Sequence, residues 1–187
     1  MLINDGTGGG HVAQVTKDNR LAVDSGGAMT DASIASKGWA FSNYRVAETI
    51  TVTSTGGYMF ILSNTSTSTL VVEDVTVSTN TAGTAYHSWV GSAKGTLANS
   101  TNISATPLNA AATGLVAPVT VDVWSEASDG ITGITGGSPV TSAILGVGTV
   151  IVDSGGGVVI PPGGTFVGKL KGASECTFVV RFYEISQ

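Results

Sequence analysis

Thr177-Phe178-Val179-Val180-Arg181-Phe182-Tyr183-Glu184-Ile185 decides the fold of this chain. Phe178, Val180 and Phe182 project to one side of an extended backbone, and Val179, Arg181 and Tyr183 to the other. A period of two is the geometry of a β-strand. A strand apolar on both faces is one buried at the centre of a sheet or against another subunit. Working back from it, the same alternation recurs. Ile50 and Val52 alternate with threonines in Glu48–Thr53, and Tyr58, Phe60 and Leu62 line one face of the next run. Asn64–Thr67 is a polar turn, and Leu70–Val77 is a β-branched strand. In it Val71, Val75 and Val77 share a face, and Glu73 and Asp74 fall on opposite faces. Further strands are expected at Tyr86–Val90, Val119–Trp124, Thr149–Val152 and Thr165–Val167. Gly95–Leu115 reads as a small-residue region and Asp129–Thr141 as a Gly-rich loop. Ala110–Ala112 has room for one helical turn between Pro107 and Gly114, and nothing else is helical. Short strands at this spacing predict an all-β sandwich or barrel.

Charge is scarce. Asp, Glu, Lys and Arg make up 11% of the 187 residues, against about a quarter in a typical soluble domain. Charged surface normally keeps a free monomer from associating, so its loss points to a chain that covers much of its surface with other proteins. Net charge is −5, and the cations Lys17, Arg20, Lys37, Arg45, Lys94, Lys169, Lys171 and Arg181 are spread singly. Nucleic acid is therefore not an expected partner, because no basic patch is available to neutralise phosphates. Mean hydropathy is +0.30, yet no apolar run approaches the roughly 20 residues that span a bilayer, so no membrane partner is expected. Met1–Gly6 has neither a basic nor an apolar region, so no signal peptide is expected. Cys176 is the single cysteine. It excludes an internal disulfide and reads as a small buried hydrophobe.

Residues 1–38 differ from the rest. Gly8-Gly9-Gly10 and Gly26-Gly27 flank two short apolar patches, His11–Val15 and Leu21–Val23. Neither patch builds a core alone, so the stretch reads as an extended N-terminal arm with a small hairpin around Lys17-Asp18-Asn19-Arg20. Ordering such an arm costs about 1–2 kcal/mol per residue and needs apolar anchors. Leu2, Ile3, Val12, Val15, Leu21 and Val23 are the residues expected to bind a partner.

No catalytic, cofactor-binding or metal-ligating set is expected. Asp24-Ser25-Gly26 and Asp153-Ser154-Gly155 each follow an apolar run, as in the Asp-Ser/Thr-Gly signature of aspartic proteases. The two copies lie in unequal surroundings, one in the arm and one in the body, and Asp-Ser-Gly is also ordinary turn chemistry. Gly8–Ala13 formally fits the dinucleotide pattern G-x-G-x-x-A, but no helix follows. His11 and His87 are far apart, and neither zinc ligation nor a Ser-His-Asp triad can be assembled from them. His87 reads as a satisfied strand histidine. Asn64-Thr65-Ser66, Asn99-Ser100-Thr101 and Asn102-Ile103-Ser104 read as turns and loops rather than glycosylated sites. Trp39, Tyr44, Trp89 and Trp124 would be sugar-stacking residues if exposed, with the core or a subunit contact as the commoner fate.

Three stretches together resemble virion structural proteins of tailed bacteriophages. They are Gly6–Val15 with Asp18-Asn19-Arg20-Leu21-Ala22-Val23, the pair Tyr58–Asn64 and Leu70–Ser78, and Ala105-Thr106-Pro107-Leu108-Asn109 with the closing run Cys176–Glu184. The resemblance implies a jelly-roll-like antiparallel β-sandwich over residues 39–187, with the arm over 1–38. It implies a non-enzymatic capsid cement or decoration protein, a homotrimer on the capsid exterior that binds the major capsid protein and bridges coat subunits. The alternative is a head-fibre or tail-associated β module that binds a receptor or carbohydrate.

Overall fold

The computed structural model describes residues 2–4, 12–15, 21–22, 43–52, 57–108, 119–124, 130–172 and 174–185. The chain divides into two compact units, Met1–Lys37 and Gly38–Gln187. In the first, β1 (Leu2–Asn4), β2 (Val12–Val15) and β3 (Leu21–Ala22) pair in the order β1-β2-β3. The β2–β3 pairing is antiparallel, Gln14 opposite Ala22 and Val15 opposite Leu21, so it brackets the hairpin expected around Lys17–Arg20. The strands of this stretch therefore pair with one another, where the sequence reads as an arm.

The second unit is an antiparallel β-sandwich. Its framework is eight strands: β4 (Asn43–Val52), β5 (Gly57–Asn64), β6 (Thr69–Thr79), β7 (Thr84–Val90), and then β13 (Ser138–Leu145), β14 (Gly148–Ile160), β15 (Thr165–Lys171) and β16 (Ser174–Ile185). The first four pair with the last four in reverse order: β4 with β16, β5 with β15, β6 with β14, β7 with β13. This long double strand is rolled so that β16 also pairs with β6, and β15 with β7. The result is a jelly roll, with β4-β16-β6-β14 in one sheet and β13-β7-β15-β5 in the other.

Between β7 and β13 the chain inserts β8 (Ala93–Ala98), β9 (Ser100–Ile103), β10 (Thr106–Pro107), β11 (Val119–Trp124) and β12 (Thr132–Thr135). β10 extends the first sheet beside β4, while β11 and β9 extend the second beside β5. β8 and β12 form a separate two-stranded ribbon. The reading of 129–141 as loop is corrected here over β12 and the start of β13, and the small-residue region 95–115 carries most of β8 with β9 and β10. Their small residues and glycines carry little alternation of their own, and pairing across the chain holds them: β9 on β11, β10 on β4, β8 and β12 on each other, and β13 on β7.

β16 lies between β4 and β6, the central position its two apolar faces require. Cys176, Phe178, Val180 and Phe182 point into the core. Phe60 packs between sheets with its ring 4.8 Å from Phe178 and 5.8 Å from Phe166, and Tyr44 stacks on Phe182 at 5.5 Å. Gly168 faces Phe60, and a Cβ there would come within 2.6 Å of the ring carbon Cζ.

Two bulges alter faces that simple alternation assigns. In β6, consecutive Arg181 and Phe182 of β16 pair with Asp74 and Val72, so Glu73 is an extra residue. Leu70 and Val72, rather than Val71, therefore share the core face with Val75 and Val77. In β5, consecutive Gly168 and Lys169 pair with Phe60 and Tyr58, so Met59 is the extra residue. Phe60 and Leu62 stay inside while Tyr58 turns to the outer face.

Candidate functional site

The fold places several of the chemistry-bearing residues singled out from the sequence. Asp24 and His11 lie outside the described residues. Asp153-Ser154 is strand rather than turn, with Asp153 opposite Val75 and Ser154 opposite Asp74 in the β14–β6 ladder. Cys176 is fully buried, its Sγ 3.6 Å from Met59 Sδ. Burial pushes its thiol up to about 12. Asn64 is buried and spends its amide on a turn: Nδ2 donates to the carbonyls of Ser68 (2.8 Å) and Ile160 (3.0 Å), and Oδ1 accepts from Ser66. Tyr44 and Trp124 are buried, so neither offers a face to a sugar, and Trp39 lies outside the described residues. Among the described residues no group of three His, Cys, Asp or Glu side chains gathers as a metal site would require.

Of the expected partner-binding residues, Leu2 and Ile3 fall on β1, Val12 and Val15 on β2, and Leu21 on β3. Val23 lies outside the described residues.

The outer face of the second sheet divides into a covered and an open half. Ile61 and Val167 are cross-strand neighbours on this face, yet both are fully buried. The β8–β12 ribbon covers them. Lys94 of β8 reaches Asp122 of β11 at 2.6 Å, and Asp122 is the outward cross-strand neighbour of Ile61. Ile131 bridges to Tyr58, and Ile134 and Trp124 are buried with them. Gly130 permits this close approach: its φ is 87°, and a Cβ would lie 2.7 Å from the Tyr58 nitrogen.

On the open half, Tyr58, Lys169, His87 and Ser142 form one row across β5, β15, β7 and β13. Trp89 stands beside it, its ring 6.1 Å from Tyr58 in an edge-on arrangement and 5.9 Å from His87. Lys169 Nζ lies 5.2 Å from the centre of the Tyr58 ring. Ser142 Oγ and His87 Nδ1 are 3.0 Å apart. That pair has the reach of a nucleophile and base, but among the described residues no carboxylate orients the imidazole.

The third feature is an edge. β13 and β14 end their respective sheets and follow one another through Gly146-Val147, so they form one side of the sandwich. Between Gly130 and Gly168 the only charged residue is Asp153. Ile144 is 72% exposed, Val147 71%, Val159 60% and Val140 40%. All four belong to this edge; Leu108 is the other large apolar side chain comparably exposed among the described residues. Proteins usually protect open edges with charge, proline or bulges. Pro139 and the adjacent bulge guard only the start of β13, leaving Thr141–Leu145 open. Sequence reasoning missed this surface, although the stretch between Gly130 and Gly168, with Asp153 its single charge, was its visible signal.

No family model matches the chain, and no curated protein or solved structure matches it.

Proposed function

We propose that the chain is a structural virion protein, a decoration or cement subunit on the outside of a tailed-phage capsid. The observation that carries this reading is the β13–β14 edge, whose one charged residue is Asp153, with Ile144 and Val147 each more than two-thirds exposed. A surface of that kind is stable in water when another protein covers it. Homotrimerisation through the edge buries it by a heterologous contact that closes after three copies. The N-terminal unit, with Leu2, Ile3, Val12, Val15, Leu21 and Val23, then docks on the major capsid protein and bridges coat subunits. Contacts of about 1,600 Å² repeated over many copies stabilise the shell by mass action.

Immunogold labelling and copy counting on purified particles test the reading. Dense label over the whole shell is the expected result. Label at a single vertex would assign the chain to a tail or fibre, and particles without the protein would overturn a virion role.

A further inference from the structure

We infer that the open half of the second sheet's outer face is a binding site for an acidic saccharide, built on Tyr58, Trp89, His87 and Lys169. The inference is independent of any virion role.

The site is assembled by the fold. The bulge that makes Met59 an extra residue turns Tyr58 out of the core, and bulges re-aim side chains in this way beside functional surfaces. Tyr58 then meets Trp89, and both rings are only partly buried, at the margin of the ribbon that seals the rest of the face. The two rings, held edge to face by strand backbones with Lys169 over the Tyr58 ring, form a fixed, partly exposed aromatic patch. Such a patch is of the kind that packs against the C–H face of a pyranose ring.

The charge pattern selects among sugars. The chain carries 13 acidic and 8 basic residues, yet among the described residues the row on this face carries Lys169 and no carboxylate. Lys94 and Arg181 have carboxylate partners in Asp122 and Asp74, whereas Lys169 has none among the described residues. Lys171, two residues on along the strand, is exposed beside it. His87 and Ser142 add hydrogen-bonding groups to the same row. An ammonium beside two rings, with further hydrogen-bonding groups at hand, matches a carboxylate carried on a pyranose ring. Two lysines are too few for the phosphate density of nucleic acid.

Affinity electrophoresis of the full chain through gels containing polygalacturonate, or the neutral polymer dextran, tests the proposal. Retardation by polygalacturonate and free passage through dextran is expected. Lys169→Gln and Trp89→Ala should each weaken binding about tenfold, the loss expected for one charge-assisted hydrogen bond or one stacked ring. Arg45→Ala, on the exposed face of the other sheet, should leave it unchanged. Lys169→Gln replaces a solvent-facing group and keeps the test decisive should Trp89→Ala unfold. Absence of retardation, equal retardation by dextran, or full retention of binding in Lys169→Gln would overturn the inference.

Discussion

Replacing Ile144 and Val147 by serine tests whether the β13–β14 edge is where copies of the chain meet. Both side chains are more than 70% exposed in the single subunit. Surface substitutions of this kind change the stability of one subunit by no more than about 0.5 kcal/mol each. The proposed trimer buries the same side chains. Complete burial of a Val or Ile side chain contributes about 1.5–3 kcal/mol, so the exposed fraction of each leaves about 1–2 kcal/mol to be gained. The double variant should therefore lose about 2–4 kcal/mol per contact, a weakening of association by about 30- to 1,000-fold. Sedimentation velocity over a concentration series reads the effect directly. The wild type should sediment as a trimer at concentrations where the double variant is a monomer with an unchanged circular dichroism spectrum. A trimeric variant with undiminished affinity, or a wild type that stays monomeric throughout, would refute the reasoning.

Other outcomes follow from single contacts. Gly168→Ala drives a methyl into the Phe60 ring, which Phe166 and Phe178 prevent from moving away. Overpacking of this kind costs about 1–3 kcal/mol and should appear as a lower urea midpoint. Asp122→Asn removes the ion pair to Lys94 that ties the ribbon down, so amide exchange should quicken in Ala93–Ala98 and Thr132–Thr135 with little change in the framework strands. Asp74→Asn removes the ion pair between Asp74 and Arg181, which stands directly opposite Arg45. The cost of removing an exposed pair is about 1 kcal/mol or less, and it should shrink further in salt. Cys176 should resist thiol reagents in the native protein. Because its folded pKa, about 12, lies above the ordinary value of 9.0, only the unfolded chain ionises between them, and stability should fall as pH rises through that window. Deleting residues 1–24 should abolish capsid occupancy while leaving the sandwich folded, read by circular dichroism and particle binding.

The parts of this molecule legible in one dimension are those whose side chains repeat strongly. β16 announces itself because Phe178, Val180 and Phe182 alternate with Val179, Arg181 and Tyr183, and it needs no neighbour to be recognised. β13 does not, because Ser138–Leu145 is mostly small residues between glycines, and its ladder to β7 makes it a strand. Trp89 stands out as an aromatic in a strand. Its pairing with Tyr58 is invisible, because Tyr58 alternates in phase with Phe60 and Leu62 and so reads as core.

Amino-acid order alone determined the all-β class, the strongest strands and the interior place of Cys176. These are consequences of local periodicity and composition, which act over a few neighbouring residues. The tertiary structure decided which strands are edges, that a ribbon seals Ile61 and Val167, and that Tyr58 faces outward. Each depends on pairing between strands distant in the chain. A bulge exists only relative to the partner that skips a residue, and an edge exists only when the whole strand order is known.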